Sequence, residues 1–156
     1  MVVINQKKLN QFLASDRVSF KGVEKENLRS DKDGRISNKS FPEAFGVHNF
    51  NSFVTLDYSQ PHLEIVTPTF QDNYELYGFL EGLHAYVEQN LEGDLLWNYS
   101  MPPRFKGKFI KLPPYGKSNK TKLAHLYRLG LRNRYGDKMQ STAGIHFNIS
   151  FSESVI

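Results

Sequence analysis

The sequence predicts an α+β domain in which an antiparallel sheet has helices packed on one face. Three observations lead there. Apolar residues recur every third or fourth position in some windows and every second position in others, so helices and strands are both expected. The elements run helix, several strands, helix, long loop, helix, strand. The strands are joined by tight connections, which antiparallel pairing allows and parallel pairing does not. With 156 residues, 39% of them hydrophobic, the chain reads as one domain spanning 1–156, long enough to bury most of a core.

In "INQKKLNQFL", Leu9, Phe12 and Leu13 recur at helical spacing behind Asn5, a residue suited to cap a helix N-terminus. "VSFKGVEKENLRS" reads as a strand that turns at "DKDG" and returns through "RIS", a hairpin. "SFVTLDYS" and "HLEIVTP" are two extended pieces, because Gln60 and Pro61 between them would break a continuous central strand. Asp72, with Glu75 three residues on, opens a helix whose buried stripe is Leu76, Phe79, Leu80, Leu83, Tyr86 and Val87. Residues 98–117 hold four prolines and read as a long loop, a feature that tends to carry function. "SNKTKLAHLYRLGLRNRYG" is a helix capped near Ser118, with Leu123, Leu126, Tyr127 and Leu131 inward and Gly136 just past its end. The last element, "MQSTAGIHFNIS", reads as a strand from Met139 to Ser150. Period two puts Met139, Ala143, Ile145, Phe147 and Ile149 on an apolar side, and Gln140, Thr142, Gly144, His146, Asn148 and Ser150 on the other.

Composition narrows the class. Without cysteine, a disulfide scaffold, a thiolate metal site and a cysteine nucleophile are excluded, and a reducing cytoplasm fits. Nothing at the N-terminus resembles a signal peptide and no window approaches a transmembrane span, so a soluble cytoplasmic protein is expected. The net charge of +4 hides a division: residues 1–103 hold nine Lys/Arg against fourteen Asp/Glu, and residues 104–138 hold eleven against Asp137 alone. So dense a basic segment wants an anionic partner, which could be nucleic acid, a nucleotide polyphosphate or the acidic first part of the chain itself.

With helices on one face of the sheet, the other face must be polar. Glu24 and Glu26 in "GVEKEN" stand at i and i+2 and project from one side of a strand. Asp57 and Glu64 lie on the neighbouring extended pieces, and His146 joins them if it shares the face. Carboxylates gathered this closely repel and raise one another's pKa, so convergence calls for a cation. Mg²⁺ takes oxygen ligands and bridges to phosphate oxygens, which suits a nucleotide-using enzyme. Taken singly, each residue also has an ordinary reading: a Glu pair on a solvated strand face, a strand histidine satisfied by hydrogen bonds, Gln140 and Asn148 as ladder-edge amides. Spacing does not decide between them.

The ordered set "KGVEKENLR", "TLDYSQPHLEIVTP", "LHAYV", "LPPYGKSNKTKLAHLYRLGLRNRYG" and "MQSTAGIHFNISF" closely resembles the N-terminal part of bacterial glutamate–cysteine ligase, the gamma-glutamylcysteine synthetase of the proteobacterial type, from about Lys21 to Phe151. The resemblance implies a sheet similar to that of glutamine synthetase, whose concave face binds nucleotide, metal and substrates. It implies ATP- and Mg²⁺- or Mn²⁺-dependent joining of L-glutamate to L-cysteine through a gamma-glutamyl phosphate, the first step of glutathione biosynthesis. The family's metal ligands fall on Glu24, Glu26, Asp57, Glu64 and His146, and its substrate contacts correspond to Tyr115, Gln140 and Asn148. No residue is needed as a covalent nucleophile, so no catalytic residue is assigned.

The family's chains are far longer, and this one stops at "SFSESVI". An incomplete catalytic domain is therefore expected, inactive alone, with self-association or a complementary C-terminal chain as its partner. A different class of function is carried by "PPRFKGKFIKLPPYGKSNKTK", where Lys and Arg on phosphates and Phe105, Phe109 or Tyr115 on bases would make a nucleic-acid-binding module. Four converging carboxylates count against that module.

Overall fold

In the computed structural model, residues 6–7, 10, 19–105, 107, 109–114 and 116–151 are described. Five strands form one antiparallel sheet: β1 Phe20–Ser30, β2 Val54–Leu56, β3 His62–Val66, β4 Leu95–Trp97 and β5 Ile145–Ser150. Helices α1 Asn73–Gln89 and α2 Asn119–Tyr135 accompany it. The helix expected behind Asn5 falls largely outside the described residues, of which Gln6, Lys7 and Asn10 are helical.

β1 is the axis of the sheet. Its eleven residues are long enough to pair with β3 along one side, and with β5 and then β4 along the other. β2 extends the sheet beyond β3, so the two extended pieces separated at Gln60 and Pro61 become an antiparallel pair. The "DKDG" turn forms as expected. Asp31 Oδ1 accepts from the Asp33 and Arg35 amides at 3.0 and 2.9 Å, and Gly34 takes the positive φ of 69° that glycine adopts without steric cost. The return is shorter than expected. It makes one bridge, Ser30 to Ile36, because the Ile36 amide then turns to the Arg104 carbonyl.

The register sorts the side chains between two faces. On one face Val54, Leu56, Leu63 and Ile65 join Val87 and Leu91, with Phe45 from a short 3-10 turn, in a buried core. Asp72 caps α1 by accepting from the Tyr74 and Glu75 amides at 2.7 and 3.0 Å. Leu76 and Val87 are buried, and Phe79, Leu80 and Leu83 half-buried, as that stripe predicts. Tyr86 departs from it: its ring stays exposed while its hydroxyl reaches the Ala44 carbonyl at 3.1 Å. Replacing fully buried Ile65 by Ala would cost about 2–5 kcal/mol.

α2 corrects a second expectation. Its cap is right, with Ser118 Oγ accepting from the Thr121 amide at 3.2 Å, and Gly136 ends it at φ 80°. Yet Leu123, Leu126 and Tyr127 are 69%, 55% and 67% exposed, and no residue of α2 is buried. The helix is tethered by polar contacts instead. Arg128 donates twice to the Asp57 carbonyl, at 3.1 and 2.6 Å, and Arg132 binds Asp137 at 2.9 Å.

The final strand is also shorter than expected. Met139–Ser141 forms a 3-10 turn, pinned by Ser141 Oγ donating to the Asp137 carbonyl at 2.7 Å, and β5 starts only at Ile145. Gln140 therefore leaves the strand row. Among the described residues β5 pairs with β1 alone. Its apolar side, Ile145, Phe147 and Ile149, is at least half exposed.

An open strand edge beside apolar side chains recruits another strand. The purified 156-residue chain should therefore self-associate, and Phe147→Lys should shift light scattering toward the monomer by adding a charge beside that edge. Scattering from a monomeric parent chain at micromolar concentration would contradict this.

Candidate metal centre

The face opposite the core divides in two. Towards the end of β1, Leu28 packs with Ile36 and Ile110 under part of the long loop, with Trp97 and Phe105 against them. Towards the middle the face turns acidic. Glu26 stands across from Glu64 of β3, and Glu24 across from His146 of β5. A strand's period of two carries this row, since Glu24, Glu26 and Leu28 alternate with Val23, Lys25 and Asn27. His146 Nδ1 lies 3.1 Å from Glu24 Oε2, and the Gly144 amide donates to Glu26 Oε2 at 2.8 Å.

Asp57 arrives from outside the strands. The chain leaves β2, turns through Gln60 and Pro61, and closes the turn with the Asp57 amide on the His62 carbonyl at 3.1 Å and the His62 amide on the Ser59 carbonyl at 3.0 Å. Gln60 anchors it, its amide on the Lys111 carbonyl and its Oε1 accepting from the Phe41 amide, at 2.8 and 2.7 Å. The turn sets Asp57 Oδ2 3.4 Å from His62 Nδ1, while His62 Nε2 faces Glu26 Oε2 at 3.7 Å. His62 is fully buried, and neither ring nitrogen has a hydrogen-bond partner. Ligand atoms of Glu26, Asp57 and His62 all lie within 4.8 Å of one another.

The electrostatics follow from this crowding. Partial burial, then Asp57, Glu24 and Glu26, push the Glu64 carboxyl above its ordinary range. Asp57 is raised too, chiefly by burial, with Glu26 adding to it and His62 and Arg128 opposing it. Glu26 is lowered. The His62 ring facing it has the largest influence although 3.7 Å is beyond a hydrogen bond, and the Gly144 amide assists. The hydrogen bond to Glu24 raises exposed His146. Four acids and two imidazoles on one face match the donor set of a divalent cation.

All five expected metal residues thus reach the same face. Asn148 is on it as well, opposite Gly22 and exposed. Gln140, outside the strand, lines a cavity of about 300 Å³ with Asp57, Tyr58, Tyr127, Arg128 and Leu131. Tyr115 lies outside the described residues. Sequence reasoning missed His62. Its place two residues before Glu64 on one strand was the available signal.

Tyr58, from the cavity lining, is held by Asp137, which is buried. Asp137 accepts from the Tyr58 hydroxyl at 2.5 Å, the Ile110 amide at 2.7 Å and Arg132 Nε at 2.9 Å. Arg132 also donates to the Ile110 carbonyl. Burial acts to raise the Asp137 pKa, but these three donors outweigh it and hold the carboxyl below its ordinary range. The Tyr58 phenol is raised, by burial and then by Asp137. Other cations of the basic segment also have partners within the chain, as with Lys111 on Ser40 and Lys138 over the Phe105 ring.

The fold and site define a class, an antiparallel-sheet domain bearing an acidic, imidazole-lined face. The Glutamate-cysteine ligase family model matches residues 2–156, and the chain belongs to that family. It is 42% identical over 136 residues to a glutamate–cysteine ligase of Hahella chejuensis and 41% over 138 residues to one of Bordetella bronchiseptica, covering 86% and 88% of this chain but 26% of each relative. The chain thus spans about a quarter of the length of the curated relatives it matches. Among solved structures, glutamate–cysteine ligase from Francisella tularensis in complex with AMP superposes with TM-score 0.82 at 32% identity, covering 86% of this chain and 27% of that one. A bifunctional glutathione synthetase from Pasteurella multocida gives 0.77 at 25% identity, covering 96% and 19%. No helix among the described residues is long and apolar enough to cross a membrane.

Asp137→Asn should cost about 3 kcal/mol, because it leaves Arg132 facing a neutral amide. A carboxyl depressed by folding contributes stability above its unfolded pKa of about 3.9 and loses it as pH falls through the folded value. Denaturation followed from pH 7 to pH 2 should show a shallower acid limb in the variant. Parallel curves for the two chains would remove Asp137 from that role.

Proposed function

We propose that this chain supplies the metal- and nucleotide-binding face of a cytoplasmic glutamate–cysteine ligase, which uses ATP and Mg²⁺ or Mn²⁺ to join L-glutamate to L-cysteine in the first step of glutathione biosynthesis. The observation that carries this is the convergence of Glu24, Glu26, Glu64 and Asp57 with imidazoles on the open face of the sheet, in a chain of that family. A carboxylate is a poor electrophile, so the γ-carboxylate of glutamate would first take the γ-phosphoryl group of ATP. The cysteine amine would then attack the acyl phosphate, displacing phosphate and forming the amide.

Glu24, Glu26, Asp57, Glu64 and His146 would hold the ions. Bound divalent cations supply charge neutralisation at phosphoryl oxygens, the main requirement of phosphoryl transfer. The residues themselves do the holding. The Gly144 amide fixes one Glu26 oxygen, and Arg128 fixes Asp57 through its carbonyl, leaving that carboxylate to face the site. Repulsion and burial keep Asp57 and Glu64 short of compensating charge, which primes them for a cation. Asn148, beside His146 on the same face, and Gln140, in the cavity bordered by Asp57, would read amino-acid substrate, and Tyr115 is assigned with them from the family resemblance.

A ligand preferring the native state raises its stability, by about 2.7 kcal/mol at one hundred times its dissociation constant. Mg²⁺ or Mn²⁺ should accordingly raise the melting temperature of the chain, and ATP should raise it further only with the metal present. Glu26→Gln, which removes a charge and keeps the shape, should abolish most of the shift. A metal-dependent shift of full size in that variant would exclude Glu26 from the site.

A further inference from the structure

Glu24 has a hydrogen-bond partner on this face in His146 and Glu26 has one in the Gly144 amide, whereas His62 has none. It lies at the bottom of the cluster, fully buried, with Nδ1 3.4 Å from Asp57 Oδ2 and Nε2 3.7 Å from Glu26 Oε2. Neither nitrogen makes a hydrogen bond. A buried polar group left in that condition costs about 1–3 kcal/mol, so such groups are rare in folded proteins. Both separations leave no room for an intervening water, and they run to opposite ring nitrogens, so a single cation takes one nitrogen only. One ligand atom from each of Glu26, Asp57 and His62 lies within 4.8 Å of the others, a spacing from which a shared cation can gather them.

We propose that His62 is a nitrogen ligand of an inner metal position formed with Glu26 and Asp57, and that this position therefore prefers an imidazole-accepting ion such as Mn²⁺, Co²⁺ or Zn²⁺ to Mg²⁺. The chain places a second imidazole, His146, at the opposite edge of the acids, 3.1 Å from Glu24. The face thus holds two imidazole-bearing positions, an inner one at buried His62 and an outer one at exposed His146. Oxygen-only sites favour Mg²⁺, and a nitrogen donor moves the preference towards later first-row ions. Burial sharpens this, because losing the metal leaves an unpaired imidazole in the interior. The inference rests on the metal-holding part of the proposed function and is independent of the ligase chemistry.

Mn²⁺ bound to the purified 156-residue chain, without nucleotide, reports its nitrogen ligands through electron spin-echo envelope modulation. His146 is exposed, so His146→Gln should fold normally, and in it the imidazole modulation should persist. Adding Glu26→Gln to that variant should remove it. His62→Gln, where it folds, should lower Mn²⁺ affinity about tenfold or more while changing Mg²⁺ affinity less than twofold. Bound Mn²⁺ without imidazole modulation in His146→Gln would overturn the proposal and leave the oxygen-ligated site standing. Equal losses for both ions in His62→Gln would also overturn it, since a purely structural histidine behaves that way. Failure of the parent chain to bind any divalent ion would overturn this inference and the metal-holding reading together.

Discussion

The register of β1 is the constraint on which the rest depends. This strand pairs on both sides, with β3 along one edge and with β5 and β4 along the other, so its alternation is imposed on three neighbours at once. A slip of one residue would send Glu24 and Glu26 into the core and bring Val23 and Lys25 out to the acidic face. The apolar cluster under α1 resists that slip. Leu63 and Ile65, fully buried, oppose Asn27 and Lys25, and they can remain buried in one register only.

From that register the chemistry of the open face follows almost mechanically. Cross-strand neighbours on one face approach closely, so placing Glu26 opposite Glu64 and Glu24 opposite His146 fixes which charges repel and which attract. The Glu24–His146 pair relieves itself. Glu26 and Glu64 have no such partner across the strands, and the sheet tolerates them through the Gly144 amide, the His62 ring and exposure to solvent. Asp57 enters from a turn rather than a strand, so its placement depends on Gln60, Pro61 and the anchoring bonds to Lys111 and Phe41.

A second, smaller organising centre lies at Asp137. One buried carboxylate gathers Tyr58 from the turn after β2, Ile110 from the long loop and Arg132 from α2. Its carbonyl then accepts from Ser141, which bends the chain into a 3-10 turn before β5. This explains why α2 can leave Leu123, Leu126 and Tyr127 in solvent and still be held in place. Polar bonds at its inner side replace the apolar stripe that ordinarily docks a helix.

Local signals were sufficient for the caps and turns, though not for β4, Leu95–Trp97, which was not among the expected strands. Asp72 and Ser118 cap the helices they were expected to cap, "DKDG" turns, and Gln60–Pro61 separates two strands, because caps and turns are governed by a few neighbouring residues. Alternation also placed Glu24 and Glu26 on one face, since a strand's period is a local property, whereas Glu64 joins them through the β1–β3 register. Three things were decided only in the tertiary structure. The inward side of α2 depends on what lies beneath it, and what lies beneath is polar. The start of β5 depends on Asp137, whose partners come from as far away as Tyr58 and cannot be read from the residues beside Met139. His62 looked like any strand histidine until folding set Asp57 against one of its nitrogens and Glu26 against the other, and burial left both without a hydrogen bond. Such an environment is a property of distances between residues far apart in the chain, which sequence spacing does not contain.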